Sequence, residues 1–277
     1  MWGWVEPSPG TFDFSAADTT VTEAQDAGLG MLATLWPYAE WDQRACRTSA
    51  ACEVDGGDIF YSTQPGQGLP SWRCPPCSVA AWQEAVRRLV ERYDGDGVDD
   101  MPGLRIPIKF WEVLNEPEND SVTFFRGADP DYVLVLEATY GAVKAACPEC
   151  QILHGAMMGL SPTAQAFWSE VFLHGWSFFD LGNIHFFHSS TNADIASLNI
   201  TGYRGLIESL GLQPKPAWVT EAQYASAGQV VASVDGALAA GAVKVFFTEY
   251  RIGSIHADGG ILPGYDPVYD GIAAHCP

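Results

Sequence analysis

Apolar runs that suit buried strands alternate along the chain with segments in which apolar residues recur every three or four positions. The recurring segments predict amphipathic helices. The runs predict strands buried on both faces, because polar and apolar residues hardly alternate within them. Alternating strands and helices are typical of an α/β fold with a parallel sheet. The six predicted strands cover residues 30–38, 106–114, 152–158, 181–187, 217–220 and 243–248.

Capping signals mark the ends of the predicted helices. Ser15 and Asp18 predict a capping box at the start of the first helix, which Gly28 is expected to end. A second helical pattern begins at Ser78, and a third begins at Asp129 with a proline in its first turn.

Residues 39–77 contain four cysteines and four prolines without clear periodicity, which predicts a long loop held by its cysteines. Disulfides are favoured, with two alternatives: a four-cysteine zinc site, or a redox motif at Cys74-Pro75-Pro76-Cys77. We expect at least one disulfide within this loop. Cys147 and Cys150 are expected to be bonded to each other, because the intervening proline favours a turn. Disulfides predict an extracellular or periplasmic protein whose signal peptide is not in this chain.

The chain has 277 residues, of which 47% are hydrophobic, so one α/β barrel of about 250 residues fits it. It has no apolar run near the roughly 18 residues of a membrane-spanning helix. Its formal charge of -20 argues against nucleic acid and anionic membranes as partners, whereas neutral ligands are not disfavoured.

Two of the predicted strands are followed by a glutamate. Glu116 and Glu221 are 105 residues apart, close to three βα units of about 35 residues each. Strand ends converge on one face of a parallel barrel, so we expect the two carboxylates to lie across its mouth from each other. Glycoside hydrolysis requires such a pair, one carboxyl to protonate the leaving oxygen and one carboxylate to attack the anomeric carbon.

Three segments carry a resemblance to a known group of enzymes. The stretch from Trp4 to Phe14, the triplet Asn115-Glu116-Pro117 and the pair Thr220-Glu221 resemble the retaining glycoside hydrolases of the TIM-barrel clan A, especially families 39, 5 and 42. The resemblance implies a (β/α)8 barrel, here a single domain over residues 1–277. It implies cleavage of β-glycosidic bonds in an oligo- or polysaccharide by double displacement. A non-catalytic carbohydrate-binding relative is the alternative.

The same resemblance implies roles for individual residues. Glu116 would be the general acid/base and Glu221 the nucleophile. Asn115 would bind the sugar 2-hydroxyl, and His185 would lie near the nucleophile. No cofactor is required for this chemistry.

Further residues, some near strand ends and some in a turn after a predicted helix, are candidates for binding a sugar or a metal. Trp36, Tyr38 and Tyr250 could stack on sugar rings, and Glu249 could bind a hydroxyl. Asp94, Asp96 and Asp100 alternate with glycines in a pattern that suits a structural calcium ion, with an acidic turn as the alternative.

Only six strands are predicted, whereas a closed barrel of this type has eight, so the first two strands are expected to be missing from this chain. The first and last predicted strands would then be edges with unpaired backbone groups. We expect a second copy to cover this open side in a homo-oligomer. Coverage by residues 1–4 and the loop at 39–77 is the alternative.

Overall fold

The computed structural model describes residues 1–187, 190–223, 227–247, 256–257 and 260–261. These residues belong to two compact units. The first unit contains residues 1–155 and 170–180, and the second contains residues 156–169 and the described residues from 181 onwards. The expectation of one domain over residues 1–277 stays a prediction.

The helices of the described residues are α1 (Trp2–Val5), α2 (Ser15–Asp26), α3 (Glu40–Cys46), α4 (Ser49–Cys52), α5 (Val79–Tyr93), α6 (Asp129–Ala146), α7 (Pro162–Gly175), α8 (Ile200–Ser209) and α9 (Ala227–Ala239). The strands are β1 (Leu32–Leu35), β2 (Phe110–Val113), β3 (Gln151–His154), β4 (Gly182–Phe186), β5 (Ala217–Ala222), β6 (Ala242–Phe247), β7 (His256–Ala257) and β8 (Gly260–Ile261). The first six match the six predicted strands. The short antiparallel pair β7–β8 was not predicted from the sequence.

A parallel sheet in the order β1-β2-β3 forms the centre of the first unit. Leu35, Val113 and His154 are register partners at the carboxyl ends of its strands. The residues that follow β1 and β2 therefore emerge at the same edge. Helices α5 and α6 are joined by a buried hydrogen bond of 2.9 Å from the Trp82 indole to the Thr139 hydroxyl.

The first long helix begins differently from the predicted capping box. Ser15 is itself helical, and its backbone N–H donates to Asp13 Oδ1 at 2.9 Å. Asp18 instead forms an ion pair of 2.5 Å with Arg92. Arg92, which is 74 residues away, thus binds the carboxylate that the local pattern assigns to the helix cap. Gly28 follows the helix end as predicted, with a left-handed φ of +72°.

The other two predicted helix starts are confirmed. α5 begins after Ser78, whose hydroxyl accepts from the Ala81 backbone N–H at 3.2 Å. α6 begins at Asp129 with proline in its first turn.

The segment at 39–77 is not one long loop, because it contains the short helices α3 and α4. The carboxylate of Asp42, in α3, accepts hydrogen bonds from the backbone N–H groups of Cys77 at 2.6 Å and Ser78 at 3.0 Å. The far end of the segment is therefore fixed to the start of α5. The local sequence lacks helical periodicity here, so these tertiary contacts and the disulfides hold the short helices.

Three disulfides confirm the preferred interpretation of the cysteines: Cys46–Cys77, Cys52–Cys74 and Cys147–Cys150. The zinc site and the redox motif are therefore wrong. All four cysteines of the 39–77 segment are bonded, and those of the Cys-Pro-Pro-Cys motif are bonded to different partners.

The second unit contains another parallel sheet, in the order β4-β5-β6. Strand β5 runs two residues beyond its predicted end, so Glu221 is part of the strand. The carbonyl of Ala196 lies where a side chain on Gly236 would project, which requires glycine at this position of α9. The outer strand β6 exposes Val243 and Phe246. Within the described residues, we find no helix with the length and apolarity needed to cross a bilayer.

Candidate active site

Glu116 lies three residues beyond the end of β2 and is buried, with 4% of its surface exposed. One of its carboxylate oxygens, Oε2, accepts a hydrogen bond of 2.6 Å from the side-chain amide of Asn119. The backbone also turns here, because the N–H of Asn119 donates to the Glu116 carbonyl at 2.9 Å. The carboxyl group is thus held by the turn that follows it.

The backbone before this carboxyl is bent sharply. Leu114 has a φ of +64° and Glu116 a φ of +40°, a region that side-chain-bearing residues seldom occupy. Tyr132 holds the neighbouring chain: its hydroxyl donates to the Val113 carbonyl at 3.1 Å and accepts from the Gly155 N–H at 2.6 Å. A Cβ on Gly155 would lie 2.6 Å from that same carbonyl, so only glycine allows this approach.

Aromatic side chains line the region after β1. Trp36 is half-buried, with its ring 6.0 Å from that of Phe124. Phe124 in turn lies 5.1 Å from the ring of Phe60, which is 41% exposed. Tyr38 is buried, and its hydroxyl donates to the Phe124 carbonyl. The geometry therefore favours Trp36 over Tyr38 as a surface for stacking, and it adds Phe60.

Glu221 of the second unit lies near the carboxyl end of β5, with 36% of its side chain exposed. Its Oε2 is 3.9 Å from Nδ1 of His185, a fully buried residue of β4. The sequence-based expectation that His185 lies near this glutamate is met within this unit.

A chain of hydrogen bonds determines how His185 is protonated on its other side. The Thr220 hydroxyl donates to Asn183 Oδ1 at 2.8 Å and lies 3.0 Å from His185 Nε2. Because the hydroxyl proton is used on Asn183, the hydroxyl oxygen accepts from an N–H at Nε2. His185 is therefore protonated at Nε2, and Nδ1 is the ring nitrogen that faces Glu221.

The buried amide of Asn199 donates to the His185 carbonyl at 2.7 Å. Asn199 begins an Asn-Ile-Thr sequon, but an amide that is fully buried and engaged in this way cannot carry a glycan.

Comparison with solved structures identifies the fold. A glucosidase from Croceicoccus marinus is 15% identical with a TM-score of 0.62, covering 89% of this chain and 48% of its own. A GH39 β-xylosidase from Caulobacter crescentus is 18% identical with a TM-score of 0.60, covering 89% and 52%. An endo-1,4-β-mannanase from Rhizomucor miehei is 11% identical with a TM-score of 0.57, covering 96% and 77%.

The chain therefore shares the α/β-barrel fold of these solved glycosidase structures. The six parallel strands of the described residues correspond to part of that barrel. The chain spans about half the length of the first two of these proteins. No family model matches the sequence, and no curated protein matches it.

Three residues of the site, Phe60, Asn119 and Tyr132, were not predicted from the sequence, and Thr220 was named only as part of the pair with Glu221, without a role. Asn119 carries a local signal, because Asn-Asp-Ser is typical of a turn in which the Asn side chain binds the backbone two residues further on. Nothing in the local pattern indicates that its amide binds Glu116. Two predicted sugar-binding residues, Glu249 and Tyr250, lie outside the described residues.

The predicted calcium ligands Asp94, Asp96 and Asp100 are close together, with one oxygen of each within 4.8 Å of the others. Both oxygens of Asp100 accept backbone hydrogen bonds, from Gly95 at 3.0 Å and Gly97 at 2.8 Å. Burial raises the pKa of Asp94 above its usual value. The cluster thus has the oxygen ligands that calcium prefers and also the hydrogen bonds of an acidic turn.

Proposed function

We propose that this protein is a retaining glycoside hydrolase that cleaves β-glycosidic bonds in a neutral oligo- or polysaccharide. The observation that carries the proposal is that Glu116 follows β2 and Glu221 lies near the end of β5, so each is at the carboxyl end of a strand in a parallel sheet. Active sites of such barrels are built at that end of the strands.

In the first step the Glu221 carboxylate attacks the anomeric carbon. A carbon–oxygen ester bond forms to the enzyme and the glycosidic carbon–oxygen bond breaks. Glu116 gives its proton to the departing glycosidic oxygen, which leaves as a hydroxyl.

In the second step a water oxygen attacks the same carbon and the ester bond breaks, which restores the Glu221 carboxylate. Glu116, now ionised, takes a proton from that water. Both carboxyl groups return to their starting states, so no cofactor is consumed. Asn115 would bind the sugar 2-hydroxyl, and Trp36 with Phe60 would offer apolar faces to sugar rings.

Aryl β-glycosides with different sugars provide the direct test. We expect one of them to be hydrolysed, Glu116→Gln to lower the rate by about 10²–10⁴-fold, and Glu221→Gln, which removes the nucleophile, to abolish hydrolysis. Glu208→Gln, at an exposed carboxylate of α8, is the matched control and should leave the rate unchanged. ¹H NMR of the first product should show the β anomer. An initial α product would contradict the retaining mechanism.

A non-catalytic carbohydrate-binding protein with this fold is the second candidate. It predicts glycan binding that is measurable by calorimetry and no turnover of any aryl glycoside. This candidate is contradicted if the wild type hydrolyses a glycoside and both glutamine variants still bind the glycan but no longer hydrolyse it.

The three disulfides support an extracellular or periplasmic location. The charge of -20 supports a neutral carbohydrate as the partner and argues against nucleic acid and membranes. The exposed apolar residues of β6 support a homo-oligomer. Light scattering at low micromolar concentration should give a mass above the 30.0 kDa of one chain, and a mass of one chain would contradict this.

A structural calcium ion at Asp94, Asp96 and Asp100 is a separate proposal. Calorimetric titration with CaCl₂ should give a dissociation constant of about 10⁻⁴–10⁻³ M, as in extracellular modules. Asp96→Asn should abolish the heat. The exposed Asp99→Asn should retain it. Absence of heat in the wild type would leave the acidic turn as the explanation.

A further inference from the structure

The side-chain amide of Asn119 has a fixed orientation. Three donors converge on its oxygen: the Ser121 N–H at 3.1 Å, the Ser121 hydroxyl at 2.6 Å and the Val122 N–H at 3.2 Å. An oxygen accepts these bonds and an NH₂ group cannot, so the nitrogen must face Glu116. Asn119 is 6% exposed, so water does not compete freely for this amide.

The segment that contains Asn119 is itself held by a buried cation. The guanidinium of Arg73 is fully buried and donates to the carbonyls of Val122 at 3.2 Å and Thr123 at 3.0 Å. Arg73 precedes Cys74, which is bonded to Cys52. The cysteine-rich segment at 39–77 thus supports the turn that carries Asn119.

The hydrogen bond from Asn119 distinguishes the two oxygens of Glu116. Oε2 accepts the amide N–H at 2.6 Å, so a proton on this oxygen would compete with that donor. The bond therefore disfavours a proton on Oε2. The amide also restrains rotation of the carboxyl group about its last bond.

We propose that Asn119 is a positioning residue for the general acid/base: it holds Oε2 of Glu116 and thereby fixes the orientation of the carboxyl group that donates the proton. The inference rests on the proposed function. It concerns an amide that makes no proton transfer itself and acts through the carboxyl group.

Leaving groups of different basicity separate this role from a structural one. A poor leaving group, such as phenol, needs a correctly placed proton, whereas 2,4-dinitrophenol departs with little assistance. The test compares phenyl and 2,4-dinitrophenyl β-glycosides of the sugar that the wild type cleaves. Asn119→Asp keeps the shape and the acceptor oxygen but replaces the amide donor by a second carboxyl group beside Glu116, and Asn119→Ala removes donor and acceptor together.

For both variants we expect kcat/KM on the phenyl glycoside to fall by about 10–100-fold, part of the 10²–10⁴-fold that acid catalysis supplies. The kcat/KM for the dinitrophenyl glycoside, which reports the glycosylation step, should fall by less than about threefold, because departure of dinitrophenol needs little acid assistance. Asp120→Ala, at the next and exposed residue, is the control and should change neither value.

An equal fall on both substrates, or no fall on either, would overturn the positioning role while leaving the proposed function in place. A wild type that cleaves neither glycoside for any sugar would instead overturn the proposed function, and the role of Asn119 with it.

Discussion

Replacing Arg73 by methionine should destabilise the protein far more than the same replacement at an exposed arginine. The Arg73 guanidinium is fully buried. It donates to the Pro70 carbonyl at 3.0 Å and to the two carbonyls of the Asn119 segment, and it pairs with Asp58 at 3.3 Å. Methionine fills a similar volume but donates no hydrogen bond, so three partly buried carbonyls and a carboxylate lose their partner.

The size of the effect follows from these contacts. A hydrogen bond from a charged group contributes about 1.5–3 kcal/mol, and removal of one partner from a buried ion pair costs about 3–5 kcal/mol. Because these effects overlap, we expect a loss of about 3–5 kcal/mol in the free energy of unfolding. At about 2–4 °C per kcal/mol for a chain of this size, the melting temperature should fall by about 6–20 °C.

Thermal unfolding followed by tryptophan fluorescence measures this shift, with Arg105→Met as the control. Arg105 pairs with Asp26, but its side chain is 60% exposed, so its loss should cost less than about 1 kcal/mol. Equal melting temperatures for the two variants would refute the reasoning that the buried hydrogen bonds of Arg73 hold this segment.

Three further results are expected. Thiol titration of the denatured, unreduced protein should find at most one thiol, that of Cys276, and seven would contradict the three disulfides. Thr220→Val leaves the buried His185 Nε2–H without its acceptor and should lower kcat about tenfold, equivalent to about 1.4 kcal/mol, whereas Thr220→Ser should retain activity. In Gly236→Ala the added methyl group meets a backbone carbonyl, which should lower the free energy of unfolding by about 1–3 kcal/mol. Gly205→Ala, with open space around it in α8, should stabilise by about 0.4–1 kcal/mol, and equal effects of the two alanines would contradict this packing.

The sequence by itself determined the features that depend on neighbours within a few residues. Strands buried on both faces and helices with one apolar face leave different periodicities, so the six parallel strands and the starts of α5 and α6 were predictable. The same holds for the disulfide between Cys147 and Cys150, which are three residues apart. The positions of Glu116 and Glu221 at strand ends follow from these elements.

Only the tertiary structure decided which distant groups meet. Asp18 looked like a helix cap because its local pattern fits one, yet an ion pair with Arg92 from another helix replaces that role. Four cysteines close in sequence allow three pairings, and spacing alone does not choose among them. The bond from Asn119 to Glu116 depends on a turn that Arg73 holds from 46 residues away. Such contacts have no periodicity in the sequence, because they arise from packing between elements that the chain brings together only on folding.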